Sequence, residues 1–76
     1  MSGTDTEVLE YTVPPGSSIT KGQLKDLSFP KDAVIGGVIR GSESYIAIGT
    51  TTIEPYDRVV VFALPSAVKD IDKFFK

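Results

Sequence analysis

The sequence predicts a small two-layer α+β domain of order β-α-β-β-β-α, in which a four-stranded sheet packs against a short helix and a C-terminal helix. Its 76 residues are about half the length of a typical domain, so the chain holds one small domain. Four β-rich runs separated by glycine and proline predict the strands. An amphipathic C-terminal segment predicts the last helix.

The first strand and the first helix are indicated by local patterns. Apolar and polar side chains alternate over residues 7–13, which predicts a strand with one buried face. Two prolines and a glycine follow and end the strand, because proline donates no hydrogen bond to a sheet. Thr20 and Gln23 have the spacing of a capping box. They predict a short helix over residues 21–27.

The remaining strands follow in the middle of the chain. An apolar run over residues 33–39 predicts a second strand buried on both faces, and its two adjacent glycines indicate a bulge or a close backbone approach. A polar break at residues 40–43 predicts a hairpin to a third strand over residues 44–48. The valine-rich residues 58–64 give the strongest strand signal. They are therefore predicted to form the central strand.

The last helix is predicted to begin after Ser66, which is a suitable N-cap, and to run from Ala67 to the C-terminus. Ala67, Ile71, Phe74 and Phe75 recur at the spacing of one helical face. We expect Phe75 to pack on the sheet. We expect Phe74 to contact a second copy of the chain, because aromatic residues are enriched in interface cores.

The composition excludes several classes of function. The chain has no cysteine and no histidine, which excludes a disulfide framework, a Cys/His zinc site and Ser-His-Asp or Cys-His catalysis. Eight basic and ten acidic residues give a net charge of −2, so the cationic field that binds nucleic acid is lacking. No apolar stretch approaches the roughly 20 residues that cross a bilayer. We therefore expect that the protein is not an enzyme and that it binds no metal, cofactor or nucleic acid.

Several motifs appear in a fixed order: V-P-P-G-S at residues 13–17, G-Q-L-K-D-L-S-F-P at 22–30, V-I-R-G at 38–41 and I-E-P-Y-D-R-V-V-V-F at 53–62. In this order and spacing they resemble the TrkA C-terminal domain, the C-terminal lobe of RCK (regulator of potassium conductance) proteins. Residues 7–76 are thus predicted to be the regulatory domain, and residues 1–6 a polar leader or the edge of an excised segment. Tyr56 stands where the family usually has a glycine, at a turn position with positive φ.

The resemblance implies a cytoplasmic regulatory lobe that forms a homodimer and relays ligand binding to a membrane-embedded cation channel or transporter. Some members bind cyclic di-AMP between two such lobes, through an Arg and an Asn that precede the second strand. Here that segment is Pro30, Lys31, Asp32, Ala33 and Val34, with Pro30 near the Arg position and Val34 at the Asn position. These five residues are the candidate ligand site. The chain has no G-x-G-x-x-G, so no dinucleotide is assigned to it.

Two functions remain open at this point. The lobe either senses a small nucleotide or another ligand in the dimer cleft, at the inner face of the membrane, or serves as a structural dimerisation or docking module without a ligand. Ligand sensing is the first hypothesis, and the missing Arg and Asn make the structural module a serious rival. Lys31 is either a contact for a ligand phosphate or a solvated turn residue. Arg40 either contacts a ligand or pairs with a carboxylate such as Glu43 or Asp57.

Overall fold

The computed structural model describes residues 5–76, which form one antiparallel sheet with helical elements packed on one face. Its strands are β1 (Glu7–Thr12), β2 (Ala33–Arg40), β3 (Glu43–Ile46) and β4 (Arg58–Ala63). Their order across the sheet is β1-β4-β2-β3, so the valine-rich β4 is central, as predicted. The two-layer α+β class with four strands is confirmed. Of the predicted leader, residues 1–4 lie outside the described residues.

The hydrophobic core lies between the sheet and the helical elements, on what we call the inner face. Side chains alternate along β4. Val59 and Val61 are completely buried, whereas Phe62, the residue after Val61, is 44% exposed. Covering a valine-sized side chain contributes about 1.5–3 kcal/mol, which is why the central strand is rich in valine. The buried residues of the core are Val13, Ile19, Ile35, Val38, Ile53, Val59, Val61, Ala63, Ala67, Ile71 and Phe75.

The C-terminal helix begins as a 3-10 helix at Pro65–Ala67 and continues as α1 (Val68–Phe74). The predicted N-cap at Ser66 is wrong, because proline begins a 3-10 turn one residue earlier and Ser66 lies inside that turn. The predicted apolar stripe is confirmed, since Ile71 is fully buried. Phe75 is also buried, as predicted.

An aromatic pair fastens the end of this helix to β1. Phe75 stacks on Tyr11 with ring centroids 4.1 Å apart and 3° between the ring planes. The Tyr11 hydroxyl donates a hydrogen bond to Asp72. Burial, together with that hydrogen bond, raises the pKa of Tyr11 to about 12. The hydroxyl therefore stays protonated and keeps donating throughout the neutral pH range.

The predicted helix over residues 21–27 is wrong. Two 3-10 turns take its place, at Ser18–Thr20 and Leu24–Asp26. The hydroxyl of Thr20 donates to the carbonyl oxygen of Ser17 at 2.7 Å, instead of accepting a backbone N–H as a capping box requires. The spacing that suggested a helix start is therefore used for a tight turn.

A distant loop supplies the physical reason for this difference. The backbone N–H groups of Leu24 and Lys25 donate to carbonyl oxygens in the loop at residues 49–51, at 3.0 and 2.9 Å. Gln23 beside them forms an isolated β-bridge with Thr52. Hydrogen bonds to the loop thus replace the α-helical ladder, and only single 3-10 turns remain.

The glycine pair of β2 forms a bulge. The register with β4 slips between Ile35 and Gly37, so Gly36 is the extra residue. A Cβ atom on Gly36 would lie 2.4 Å from Cε2 of Phe62, so this glycine also permits a close approach. The predicted burial of this strand on both faces is wrong at Val34, which is 62% exposed. Within residues 5–76, the face opposite the core has no second layer.

We expect Gly36→Ala to destabilise the domain by about 1–2 kcal/mol, because the added methyl group must displace the Phe62 ring. In a Phe62→Ala background the same substitution should cost at least about 1 kcal/mol less. Urea unfolding of the wild type, Gly36→Ala, Phe62→Ala and the double variant measures the cost of Gly36→Ala in both backgrounds. Gly37→Ala is the control, since its Cβ would lie 3.4 Å from the Tyr45 carbonyl oxygen, an ordinary van der Waals distance. An equal cost of Gly36→Ala in both backgrounds would contradict the account.

Candidate ligand site and its surroundings

The candidate ligand segment is a turn that leads into β2. The Ala33 N–H donates to the carbonyl oxygen of Pro30 at 3.2 Å, and the Leu64 N–H donates to the carbonyl oxygen of Asp32 at 3.0 Å. The second bond holds the turn against the end of β4. The side chains of Lys31 and Asp32 are exposed, so both charges face solvent.

Four of the five candidate residues share one shallow cavity of about 310 Å³, which we call the β2 hollow. Its lining residues are Thr6, Lys31, Asp32, Ala33, Val34, Phe62, Ala63 and Leu64. Lys31 offers an ammonium group to an anion, whereas Val34 and Phe62 offer apolar surface. The volume is at the lower end of the range for small-molecule sites. Asp32 lines the hollow beside Lys31, so the hollow offers one positive and one negative group next to its apolar surface.

Pro30 is separated from the other candidates and lines a second cavity, of about 440 Å³, on the helical layer. The lining residues of this Phe74 groove are Ser18, Ser28, Pro30, Asp70, Lys73 and Phe74. The half-buried ring of Phe74 packs against Phe29, with ring centroids 5.1 Å apart and an interplanar angle of 58°. The structure thus brings Pro30 to the predicted dimer contact Phe74, and not to the β2 hollow.

Sequence reasoning missed two features of the Phe74 groove. Ser28 has a φ of +53°, a conformation that costs a residue other than glycine roughly 1–2 kcal/mol. Serine gives no sequence signal for it, whereas glycine or asparagine would. Lys73 Nζ lies 3.4 Å from Asp70 Oδ1 on the helix surface. The i,i+3 spacing of these two residues could have indicated this pair.

Arg40, at the end of β2, binds the buried carboxylate of Asp57. Its Nε donates to Oδ1 at 2.9 Å and its Nη2 donates to Oδ2 at 2.8 Å, a two-point geometry suited to a planar guanidinium. Nη2 also donates to the carbonyl oxygen of Thr52 at 3.1 Å, and Nη1 lies 3.2 Å from Glu54 Oε2. The predicted pairing of Arg40 with Asp57 is confirmed. We call this contact the Arg40–Asp57 clamp.

Aromatic contact completes the surroundings of the clamp. The Arg40 guanidinium lies 5.3 Å from the centroid of the Tyr45 ring, within cation–π range. The Tyr45 hydroxyl donates to Glu43, and this hydrogen bond raises the pKa of Tyr45. Glu43, the other predicted partner of Arg40, is therefore bound to Tyr45 instead.

Asp57 also closes the turn that precedes β4. Its Oδ2 accepts the Glu54 N–H at 2.9 Å, and its own N–H donates to the Glu54 carbonyl oxygen at 3.1 Å. Tyr56 in this turn has a φ of +71°, which confirms the positive φ predicted for this position. The Tyr56 N–H donates to the carbonyl oxygen of Val13. The N–H of Val13 in turn donates to the carbonyl oxygen of Asp57. Asp57 therefore has a structural role in this turn.

Both members of the clamp stay charged. Burial by itself would raise the pKa of the Asp57 carboxyl, but hydrogen bonds from Arg40 and from the Glu54 N–H hold that pKa below its ordinary value of 3.8. The hydrogen bond to Asp57 raises the pKa of Arg40. Because the guanidinium is bound to Asp57, Thr52 and Glu54, we assign Arg40 to the structure and not to a ligand.

Across residues 5–76, no three acidic side chains converge in a way that could hold a metal ion. The single α-helix in that range has seven residues. None of the helices there has the length and apolar character needed to cross a membrane.

Comparison with known proteins identifies similar sequences. The sequence model of the TrkA-C domain matches residues 8–76. The Trk system potassium uptake protein TrkA homolog 1 of Methanosarcina mazei is 38% identical over 76 residues, which are 100% of this chain and 17% of that protein. The TrkA homolog of Archaeoglobus fulgidus is 44% identical over 71 residues, covering 93% of this chain and 16% of that protein. The chain spans about a sixth of the length of these curated relatives.

Comparison of folds gives a similar structure. A solved structure described as an RCK domain with cda matches with a TM-score of 0.75. The match covers 91% of this chain and 97% of that chain, at 22% sequence identity. The two chains therefore share a fold.

The lowered pKa of Asp57 predicts how stability depends on pH. The stabilisation from its ionised form is fully present above pH 3.8 and is lost as the pH falls through the lower pKa of the folded state. The difference in unfolding free energy between the wild type and Asp57→Asn should therefore shrink as the pH falls from 5 to about 2. Urea unfolding at a series of pH values measures it.

Glu10→Gln is the matched control for this titration. Glu10 Oε2 lies 3.4 Å from Arg58 Nη1 in an exposed ion pair, which is worth about 1 kcal/mol or less at any pH. The difference in unfolding free energy between the wild type and Glu10→Gln should therefore stay small from pH 5 to about 2. A difference between the wild type and Asp57→Asn that is constant down to about pH 2 would contradict the clamp.

Proposed function

The chain belongs to the TrkA-C domain family, and from that premise we propose that it is a ligand-sensing and dimerisation lobe of a potassium transport regulator. The family is a regulatory domain of potassium transport systems and not a known class of enzyme. We accordingly propose no catalytic residue for the chain.

The observation that supports ligand sensing most directly is the β2 hollow. It combines the oppositely charged side chains of Lys31 and Asp32 with the apolar surface of Val34 and the exposed ring of Phe62. Pro30 and Val34 stand near the positions where family members place an Arg and an Asn. Lys31 is therefore the positive charge that this chain offers to an anionic ligand. A small nucleotide has the matching anionic and aromatic parts.

The hollow is shallow on one copy of the chain, so we propose that a second copy supplies the missing wall. Ligand bound between the two copies stabilises the arrangement for which it has the higher affinity. The change in arrangement passes to a membrane-embedded cation channel or transporter subunit, which places the lobe at the cytoplasmic face of the membrane. Differential affinity for the two arrangements is the only way in which a ligand can move such an equilibrium.

Phe74 is the contact that the sequence proposes for this dimer. Its half-buried ring packs against Phe29, and it forms one wall of the Phe74 groove beside Pro30. Pro30 precedes the residues of the β2 hollow in the chain. A second copy seated in the groove would therefore lie close to the candidate ligand segment.

The second candidate function is a structural dimerisation or docking module without a ligand. Pro30 and Val34 support it, because neither side chain can form the charged or amide hydrogen bonds of an Arg and an Asn. The exposed position of Lys31 supports it as well, since a solvated lysine needs no ligand.

Thermal unfolding with added ligands separates the two candidates. The probes are cyclic di-AMP, adenine nucleotides and divalent cations, each titrated separately. A ligand that binds only the folded chain raises its stability by about 2.7 kcal/mol at a hundredfold excess over the dissociation constant. We expect a saturable rise with a nucleotide, and we expect Lys31→Gln to weaken it at least tenfold.

Lys69→Gln, at an exposed lysine on α1, is the control and should respond as the wild type does. No rise with any probe would refute ligand sensing and leave the structural module. An equal response of the two lysine variants would place the ligand away from the β2 hollow.

A further inference from the structure

Two exposed aromatic side chains lie beside the Arg40–Asp57 clamp. The ring of Tyr45 lies 5.3 Å from the Arg40 guanidinium carbon, and this side chain is 41% exposed. Tyr56 directly precedes Asp57 in the chain and is 73% exposed. Tyrosine is enriched in protein interfaces, where its ring is covered and its hydroxyl keeps a polar contact. We call the surface formed by Tyr45, Tyr56, Glu43 and Glu54 the tyrosine end.

The conformation of Tyr56 is unfavourable for the domain by itself. Its φ of +71° is one that glycine adopts freely, whereas a bulky side chain adopts it at a cost in free energy. Burial of the ring does not offset this cost, because most of the side chain faces solvent. Strain of this kind is associated with functional contacts. The exposed ring therefore has a reason to be there that lies outside the packing of this domain.

The net charge of the chain is concentrated at the same end. Glu43, Glu54 and Asp57 lie around the single guanidinium of Arg40, which leaves a surplus of two carboxylates. Of the ten acidic and eight basic residues, seven of each lie elsewhere in the chain and cancel. The surroundings of the clamp thus account for the whole net charge of −2. A negative surface repels nucleic acid and anionic lipid, and it is complementary to a cationic partner.

Glu54 is a carboxylate that such a partner can reach. Its Oε2 lies 3.2 Å from Arg40 Nη1 and its side chain is 59% exposed, so it is held by the clamp and still faces solvent. Asp57, by contrast, is only 2% exposed. Tyr56 follows Glu54 by two residues and presents the face of its ring, which attracts lysine and arginine through a cation–π contact. Neighbouring basic side chains of one segment can therefore contact both residues.

We infer that the tyrosine end docks a segment of a partner protein that is rich in lysine and arginine. This inference rests on the proposed function and assigns the surface that faces the membrane-embedded partner, because cytoplasmic loops of membrane proteins carry an excess of lysine and arginine. The candidate ligand segment lies at the other end of β2. The lobe then has separate ends for its ligand and for its partner, and the clamp holds the docking residues in place.

The test is the binding of a labelled peptide to the whole chain, measured by fluorescence anisotropy at low and at physiological ionic strength. The probe is a peptide of alternating arginine and glycine, and the same peptide with glutamate in place of arginine is its negative control. We expect only the arginine peptide to bind saturably, and we expect added salt to weaken it. Tyr56→Gly should raise its dissociation constant by about fivefold or more.

Tyr56→Gly also separates docking from folding, because glycine relieves the positive φ. We expect this variant to raise the midpoint of thermal unfolding while it weakens peptide binding. Glu54→Gln should weaken binding by about threefold or more and reduce its dependence on salt. Glu7→Gln is the matched control, since it removes the same charge at an exposed position that pairs with Ala63, at the far end of β4 from Asp57. We expect a change of less than about twofold there.

Equal affinity of the wild type, Tyr56→Gly and Glu54→Gln for the peptide would overturn the inference, because the peptide would then bind elsewhere. An absence of saturable binding at low ionic strength would overturn it too. A lower unfolding midpoint for Tyr56→Gly would do the same, because it would give the ring a structural role. The ligand titration is independent of these results. If a nucleotide binds and the peptide does not, this inference alone fails, whereas the reverse result refutes ligand sensing and leaves the docking surface.

Discussion

The Arg40–Asp57 clamp is the contact on which the rest of this small domain depends. A buried carboxylate is tolerated only when its charge is compensated, and removing one partner of such a pair costs about 3–5 kcal/mol. Arg40 ends β2, whereas Asp57 precedes β4 and binds the end of β1 through Val13. The ion pair therefore joins the end of β2 to the start of β4, and the backbone of Asp57 ties both to the end of β1. For a chain of 76 residues without a disulfide or a metal, this is a large share of the stability available.

The clamp lies at the end of β2 opposite the candidate ligand segment. The opposite end of β2 carries Lys31 in an exposed turn that backbone hydrogen bonds hold to the end of β4. The guanidinium of Arg40 binds oxygens of Asp57, Thr52 and Glu54, whereas the side chain of Lys31 is exposed. The fixed charges and the available charge thus lie at different ends of one strand.

The elements that depend on side-chain periodicity could be predicted from the sequence. Alternation identified β1, the valine run identified β4 as central, and the adjacent glycines indicated the bulge at Gly36. The short helix could not be predicted correctly, because its N–H groups bond to a loop about 25 residues further along the chain. A capping pattern reports only on hydrogen bonds between residues that are close in the sequence. The turn at Tyr56 was predicted because the family position is a glycine.

The sequence predicted the five residues of the candidate ligand segment, but not which of them line the same cavity. Whether Pro30 faces the β2 hollow or the Phe74 groove depends on tertiary packing around Ser28, and serine gives no signal for its positive φ. The exposure of Val34 was missed for a related reason, since an apolar run normally indicates burial on both faces. In this chain, the side chains of Val34 and Phe62 remain exposed on the face of the sheet opposite the core.

A double-mutant cycle at the clamp tests its central role most directly. The free energy of unfolding is measured for the wild type, Arg40→Met, Asp57→Asn and the double variant at neutral pH. Because each single variant leaves the other side chain without its partner, the clamp predicts that the double variant is less destabilised than the sum of the single variants, by about 2 kcal/mol or more. Additive effects would contradict it, because they would show that Arg40 and Asp57 stabilise the fold independently.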